Sequence, residues 1–309
     1  MRIVSLLPSA TEIVCALGLG DELVGITHEC DWPPEVVGTP VVTADTQDLR
    51  GRSGGEIHDL VTAAMHGGTS LYALDAHALE AVQPDLVLTQ ELCRVCAVGY
   101  EEVNEVVRAI EGDITVVSLE PTSIEGVLNT ISTVGAMAAA EDAAVELVER
   151  LRTRLGAVER VVTQRRQEGR APSRVVGLEW LDPPFAVGHW VPEQIRRAGG
   201  WDLLGSDGER AHPTTWDAVR DVDPDTIVLM PCGFDLDGTI EEWGRLARPA
   251  WLEETTAARR RSLYAVDGSS YFSRPGPRII DGIEILAAIL DPDAFPGATP
   301  GDAWAMVTT

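Results

Sequence analysis

Lysine is missing from this 309-residue chain, so all 24 of its basic residues are arginine, set against 49 acidic residues for a net charge of −25. That balance excludes a nucleic-acid partner or an anionic membrane surface, because both need clustered basic residues. An acidic composition without lysine is what a very salty cytoplasm or a GC-rich genome would give; the excess of carboxylates favours the halophilic reading, although acidic surfaces also simply aid solubility. No apolar run approaches the length of a membrane span. No secretory leader is visible either. Met1-Arg2 runs straight into Ile3-Val4-Ser5-Leu6-Leu7, which is too short for a leader and its cleavage site and reads as a strand. The expectation is a cytoplasmic protein, or an extracytoplasmic one whose leader has been removed. The cysteines number five, an odd count that suggests no disulfide scaffold. Nucleophile elbow, Walker loop and G-x-G-x-x-G are absent, and no triad or carboxylate dyad is recognisable. These absences weigh against an enzyme, and against a hydrolase above all.

What is present is a repeat. Val82-Gln83-Pro84-Asp85-Leu86-Val87-Leu88 returns as Val222-Asp223-Pro224-Asp225-Thr226-Ile227-Val228-Leu229. Each copy reads as a helix end, a Pro-Asp turn and a buried strand. Gly20-Asp21-Glu22-Leu23-Val24-Gly25 is echoed by Gly200-Trp201-Asp202-Leu203-Leu204-Gly205. Two similar α/β lobes follow, with a ligand cleft expected between them.

In the first lobe the pattern predicts strands at 3–7, 23–27, 70–74, 85–89 and 115–119, alternating with helices at 9–17, 56–65, 77–81 and 100–110. That alternation implies a parallel sheet. Ser9 with Glu12, and Thr122 with Glu125, have the spacing of capping boxes. Ala144, Leu147, Leu151, Leu155 and Val158 recur at helical spacing, in a helix expected to run from about Glu141 to about Gln167. Such a helix is roughly 40 Å long and reads as a rigid spine. In the second lobe strands are expected at 174–178, 226–230 and 262–266, and helices at 192–198, 215–222, 238–246 and 276–290, followed by an acidic surface tail. The fold class is therefore α/β, with two Rossmann-like lobes, 1–122 and 170–309, joined by a helical spine at 123–169.

Ligands of open parallel sheets sit beyond the carboxyl ends of the strands. Those positions hold Ser9 after the first strand, and His28, Cys30 and Trp32 after the second. Cys93 and Cys96 follow the first Pro-Asp strand. In the second lobe Glu179-Trp180 and His189-Trp190 come first, His212 precedes the next helix, and Tyr271-Phe272 with Arg274 lie after the last strand. With so few aromatics in the chain, five at strand ends suggest the lining of a large, flat, partly apolar ligand, although each alone also fits core packing. Arg274 can meet an anionic group, or can be a solvated surface arginine. His189 and His212 are single histidines, a type more often a satisfied polar group than a ligand. Cys93 and Cys96 form a C-x-x-C pair which, with His28 and Cys30 nearby, has the chemistry of a metal site; the plain alternatives are a redox pair or small buried residues. Cys15 falls mid-helix and reads as a small core residue.

Taken together, Ile3-Val4-Ser5-Leu6-Leu7-Pro8-Ser9-Ala10-Thr11-Glu12, then Leu23-Val24-Gly25-Ile26-Thr27 with Asp31-Trp32-Pro33-Pro34, then the two Pro-Asp strands carry a resemblance. Over nearly its whole length the chain resembles the substrate-binding proteins of ABC importers whose lobes are joined by a long helix, and within them the vitamin B12-binding branch. The resemblance implies cobalamin or another corrinoid as ligand and an ABC-transporter permease as partner. It implies an aromatic corrin contact at Trp32. It implies a second aromatic near Ala211-His212-Pro213, where this chain has His212 instead. The cysteines at 93 and 96, the missing leader and the extra segment 43–72 depart from the pattern and suggest a cytoplasmic relative. Two further readings stay open beside the binding protein. One is a cytoplasmic metalloprotein or enzyme holding zinc or an iron–sulfur cluster on Cys30, Cys93 and Cys96 with His28 or Cys232. The other is a cytoplasmic corrinoid carrier or sensor.

Overall fold

Arg2 and Arg174 stand at the head of two sheets that repeat one plan. The computed structural model describes residues 1–47, 49, 51–67, 72–90, 100–108, 110, 113–296 and 303–309. These form two compact units, one of residues 1–52, 56–121 and 125–150, the other of 53–55, 122–124 and 151–309.

The first unit runs β1 (Ile3–Ser5), α1 (Pro8–Ala16), β2 (Leu23–Ile26), β3 (Thr43–Asp45), α2 (Gly54–Gly67), β4 (Tyr72–Leu74), α3 (Ala76–Ala81), β5 (Leu86–Thr89), α4 (Tyr100–Val107), β6 (Thr115–Ser118) and α5 (Ile124–Met137). Its main sheet is parallel throughout, in the order β2-β1-β5-β6. β1 and β5 are buried along their whole length, as strands covered on both faces must be. The extra segment 43–72 contributes a small antiparallel pair, β3 with β4. Pro8 occupies the first turn of α1 and Leu7 is the cap residue, with no side-chain cap. Ser9 therefore lies inside the helix and the expected Ser9–Glu12 capping box does not form. A proline with its missing N–H and fixed φ suits that first position better than a serine needs it.

Helix α6 (Glu141–Gln167) begins in the first unit and ends in the second. The five positions that predicted it are all buried.

The second unit runs β7 (Ser173–Leu181), β8 (Pro184–Ala186), α7 (Val191–Arg197), β9 (Gly200–Asp202), β10 (His212–Pro213), α8 (Trp216–Val222), β11 (Thr226–Leu229), α9 (Leu236–Arg245), α10 (Thr256–Arg259), β12 (Leu263–Val266), α11 (Ile279–Leu290) and β13 (Trp304–Met306). Its parallel core, β9-β7-β11-β12, matches the order of the first sheet. The echoed glycine segments become β2 and β9, the partners of β1 and β7. The Pro-Asp turns match in detail too. Gln83 and Asp223, each just before the proline, have φ of 41° and 39°. The Arg2 N–H donates to Asp85 Oδ2 at 2.7 Å and its guanidinium to Val82 O. The Arg174 N–H donates to Asp225 Oδ2 at 3.1 Å and its guanidinium to Val222 O. An arginine at the start of each unit's first strand, just before β1 and second in β7, thus satisfies carbonyls left open where α3 and α8 end.

Antiparallel edges complete this second sheet: β8 on β7, β10 on β8, and β13 on β12. The last of these corrects the expected surface tail, because Trp304-Ala305-Met306 pairs with Val266-Ala265-Tyr264. Helix α11 is buried except for polar Asp281 and Glu284, which hold the Arg154 guanidinium from α6.

Candidate functional site

In the first unit the strand ends place Thr27 and His28 after β2 and Thr43 at the start of β3. The Thr43 hydroxyl donates to Thr27 Oγ1 at 3.1 Å. A hydroxyl has one proton, so its 2.8 Å contact with His28 Nδ1 must be donated by the imidazole. Nδ1 therefore carries a proton, and Nε2 is buried and without a hydrogen-bond partner among the described residues. Glu29 Oε1 lies 3.5 Å from it, and the ring rests against Tyr72 at 5.1 Å. Because the Thr43 proton points away from His28, the pair is not a base with its nucleophile. Cys30 Sγ meets Thr11 Oγ1 at 3.0 Å. Trp32 is 45 % exposed. Ser9 is buried in α1. Cys15 is half-buried near the end of α1, and burial pushes its thiol up to about 11, so it stays protonated and unreactive.

Of the expected metal ligands, Cys93 and Cys96 lie outside the described residues. Among the described residues no three of histidine, cysteine, aspartate and glutamate come together as a metal site.

In the second unit the C-terminal end of β7 carries Glu179 and Trp180. The β7–β8 register shifts between Leu178 and Trp180, so Glu179 sits at a bulge. Glu179 Oε2 accepts from Gly188 N–H at 3.3 Å, and burial pushes its carboxyl up to about 7. Gly188 has no room for a side chain, since a Cβ would come within 2.2 Å of Ala211 N. His189 follows with φ of 53°, stacked on Trp190 at 5.6 Å. Its Nδ1 is buried without a hydrogen-bond partner among the described residues, and burial, then Arg210, hold its pKa below the usual histidine range. Trp180 meets Phe234 edge-on at 5.7 Å and stays partly open to solvent. His212 is exposed on β10, and burial raises the Asp202 carboxyl above its usual range against the opposing effect of three backbone N–H donors.

Trp190 and Phe272 depart from the expected lining. They are only 6 % and 2 % exposed, and the Trp190 indole donates to Phe272 O at 2.8 Å. Both belong to the interior. Arg274 is likewise buried, at 9 % exposure, which excludes the solvated-surface alternative. Tyr271 is half-buried under the Arg278 guanidinium, 5.6 Å from the ring centre, and its carbonyl accepts from Gln194 Nε2 at 3.1 Å. Sequence reasoning missed Gln194, Gly188 and Thr43. Their roles rest on backbone positions that no local pattern reveals.

Residues 3–269 match the model of the family described as periplasmic binding protein. Among curated relatives, an ABC transporter substrate-binding lipoprotein, YvrC of Bacillus subtilis, is 26 % identical over 305 residues, covering 95 % of this chain and 81 % of that one. A vitamin B12-binding protein of Vibrio cholerae is 23 % identical over 300 residues, 94 % of this chain and 88 % of the relative. Among solved structures, a periplasmic heme binding protein from Pseudomonas aeruginosa superposes with a TM-score of 0.74 at 21 % identity, covering 100 % of this chain and 99 % of that one. At that identity the likeness speaks for the fold alone.

Proposed function

The chain belongs to the periplasmic binding protein family, and we propose that it is the substrate-binding component of an ABC importer with a corrinoid, such as cobalamin, as its ligand. The observation that carries this reading is Trp32. Its large aromatic ring, 45 % exposed on the loop that follows β2, is a surface for stacking on a flat macrocycle. The vitamin B12-binding relative supports the same ligand class. In the second unit Trp180 and Tyr271 are each partly open to solvent. The partner is then a permease, and the working location lies outside the cytoplasmic membrane rather than in the cytoplasm. Among the described residues no helix is long and apolar enough to cross a membrane. The acidic composition fits a high-salt setting.

One observation favours direct contact with the ligand's metal. His28 has Nδ1 tied to Thr43, while Nε2, 3.5 Å from Glu29 Oε1, makes no hydrogen bond among the described residues, and a second-shell tie of this kind orients an imidazole for a metal. The chelated cobalt would be cargo, not a resident cofactor. Zinc or an iron–sulfur cluster held by His28 and Cys30 has less support, since Cys30 is already engaged with Thr11.

Equilibrium dialysis against hydroxocobalamin, haemin and a ferric hydroxamate in molar salt tests the ligand. Retention of hydroxocobalamin in preference to the other two is expected. Preferential retention of haemin or the hydroxamate would replace the corrinoid reading with that ligand.

A further inference from the structure

Ser53, Gly54 and Gly55 fold with the second unit, and the first turn of α2 starts there. Its anchor is Glu242 on α9, a residue only 4 % exposed. Glu242 Oε1 accepts from Gly54 N–H at 2.8 Å. Oε2 is buried and has no hydrogen-bond partner among the described residues. The fit requires glycine. A Cβ on Gly54 would lie 2.6 Å from Glu242 Oε1 and 3.6 Å from Trp180 Cε2, and one on Gly55 would lie 3.0 Å from Asp182 Oδ2. The Gly54 backbone thus sits beside the Trp180 indole. A carboxylate at the start of a 14-residue helix gains from an open N–H and from the positive end of the helix dipole. Burying that carboxylate with one oxygen unpaired costs an amount of the same order. Water would satisfy both oxygens of an undocked Glu242. The helix also carries its own cap, because Ser53 and Glu56 stand at the spacing of a capping box.

We propose that residues 53–55 are a releasable strap, latched by Glu242, which covers part of the Trp180 indole and uncovers it when the first turn of α2 undocks. The two states exchange one charge-assisted hydrogen bond for the hydration of one carboxylate, so they interconvert without unfolding α2 or α9. Gly54 and Gly55 let the backbone come close enough for the latch to close. Trp180 stands at the end of β7, and the strap sets how much of its ring a ligand can reach. That control of access rests on the substrate-binding reading above; the latch itself does not.

Amide hydrogen exchange of the whole chain, read by NMR at Gly54, tests the latch. In the wild type the Gly54 N–H should be protected yet exchange faster than the buried amides of β7 and β11, through an opening smaller than global unfolding. Glu242→Ala should speed Gly54 exchange about tenfold or more and leave β7 and β11 unchanged. Gly54→Ala, whose Cβ would meet Glu242 Oε1, should release the strap from the other side of the contact, so the acceleration then appears at Gly55 and Glu56. Acrylamide quenching, with Trp180→Phe as the reference, should show Trp180 more accessible in both released variants. Gly54 exchange as slow as that of β7 and β11, or unchanged in Glu242→Ala, would overturn the latch. Faster exchange without greater Trp180 accessibility would overturn the cover. Hydroxocobalamin should associate faster with Glu242→Ala than with the wild type, and an equal rate would overturn the control of access. No hydroxocobalamin binding by the wild type would overturn that control together with the corrinoid reading, while the exchange result would still decide the latch.

Discussion

Replacing Glu179 by glutamine should stabilise the folded protein, and by an amount that grows with pH. Burial pushes the Glu179 carboxyl from its ordinary value of 4.5 to about 7. The folded state therefore binds a proton that the unfolded chain has released. The sign follows: the associated stability is fully present below pH 4.5, falls as pH rises toward 7, and is lost above it. Two and a half pH units at about 1.4 kcal/mol each set an upper limit of about 3 kcal/mol. The wild type should carry that penalty at about pH 8 and little of it at about pH 4.5. Glutamine keeps the shape and an oxygen for the Gly188 N–H but has no proton to lose. Urea denaturation followed by tryptophan emission at several pH values measures the difference. The Gln variant should gain on the wild type by about 2 kcal/mol between about pH 5 and about pH 8. Parallel stability profiles, or a Gln variant that loses ground as pH rises, would refute the reasoning that partial burial raises the Glu179 carboxyl.

Three more outcomes are expected. Gly188→Ala should destabilise the protein by several kcal/mol or abolish folding, read by circular dichroism and thermal melting, because the added Cβ would lie 2.2 Å from Ala211 N. Phe272→Ala should lower stability by about 3–5 kcal/mol in denaturant titration, while any folded fraction keeps its ligand affinity, because the ring is 2 % exposed and belongs to the interior. His28→Ala should retain cyanocobalamin but lose the visible band shift with hydroxocobalamin, since only the latter offers a cobalt position to Nε2.

The parts of the fold that were legible in the sequence were those where backbone chemistry leaves little choice. A proline followed by aspartate and a β-branched run can only turn and enter a sheet, and both copies do so with the same left-handed residue before the proline. The α6 helix was legible for a similar reason, because a stripe of apolar residues over many turns has one reading. Short edge strands were not. Pro184-Phe185-Ala186 and Trp304-Ala305-Met306 are three residues each, too brief for a period, and only the neighbouring strand makes them strands. Ser9 misled because its capping spacing is real but Pro8 takes the first helical position. Among the candidate residues, strand-end position named Trp32 and Glu179 but could not separate exposed Trp32 from buried Trp190 and Phe272. Which way a side chain turns after a strand depends on the loop's backbone, here on Gly188 and the φ of His189, and those values are set by distant contacts.

The most direct test of the central claim is a visible-absorbance titration with hydroxocobalamin in molar salt, run on the wild type and on Trp32→Ala, with haemin in parallel. The account predicts saturable hydroxocobalamin binding by the wild type and an affinity at least about tenfold lower for Trp32→Ala, as expected when a stacking ring is removed. Its thermal stability should be unchanged, because the ring is 45 % exposed. A wild type that saturates with haemin but shows no response to hydroxocobalamin, or a Trp32→Ala variant that binds as tightly as the wild type, would contradict it.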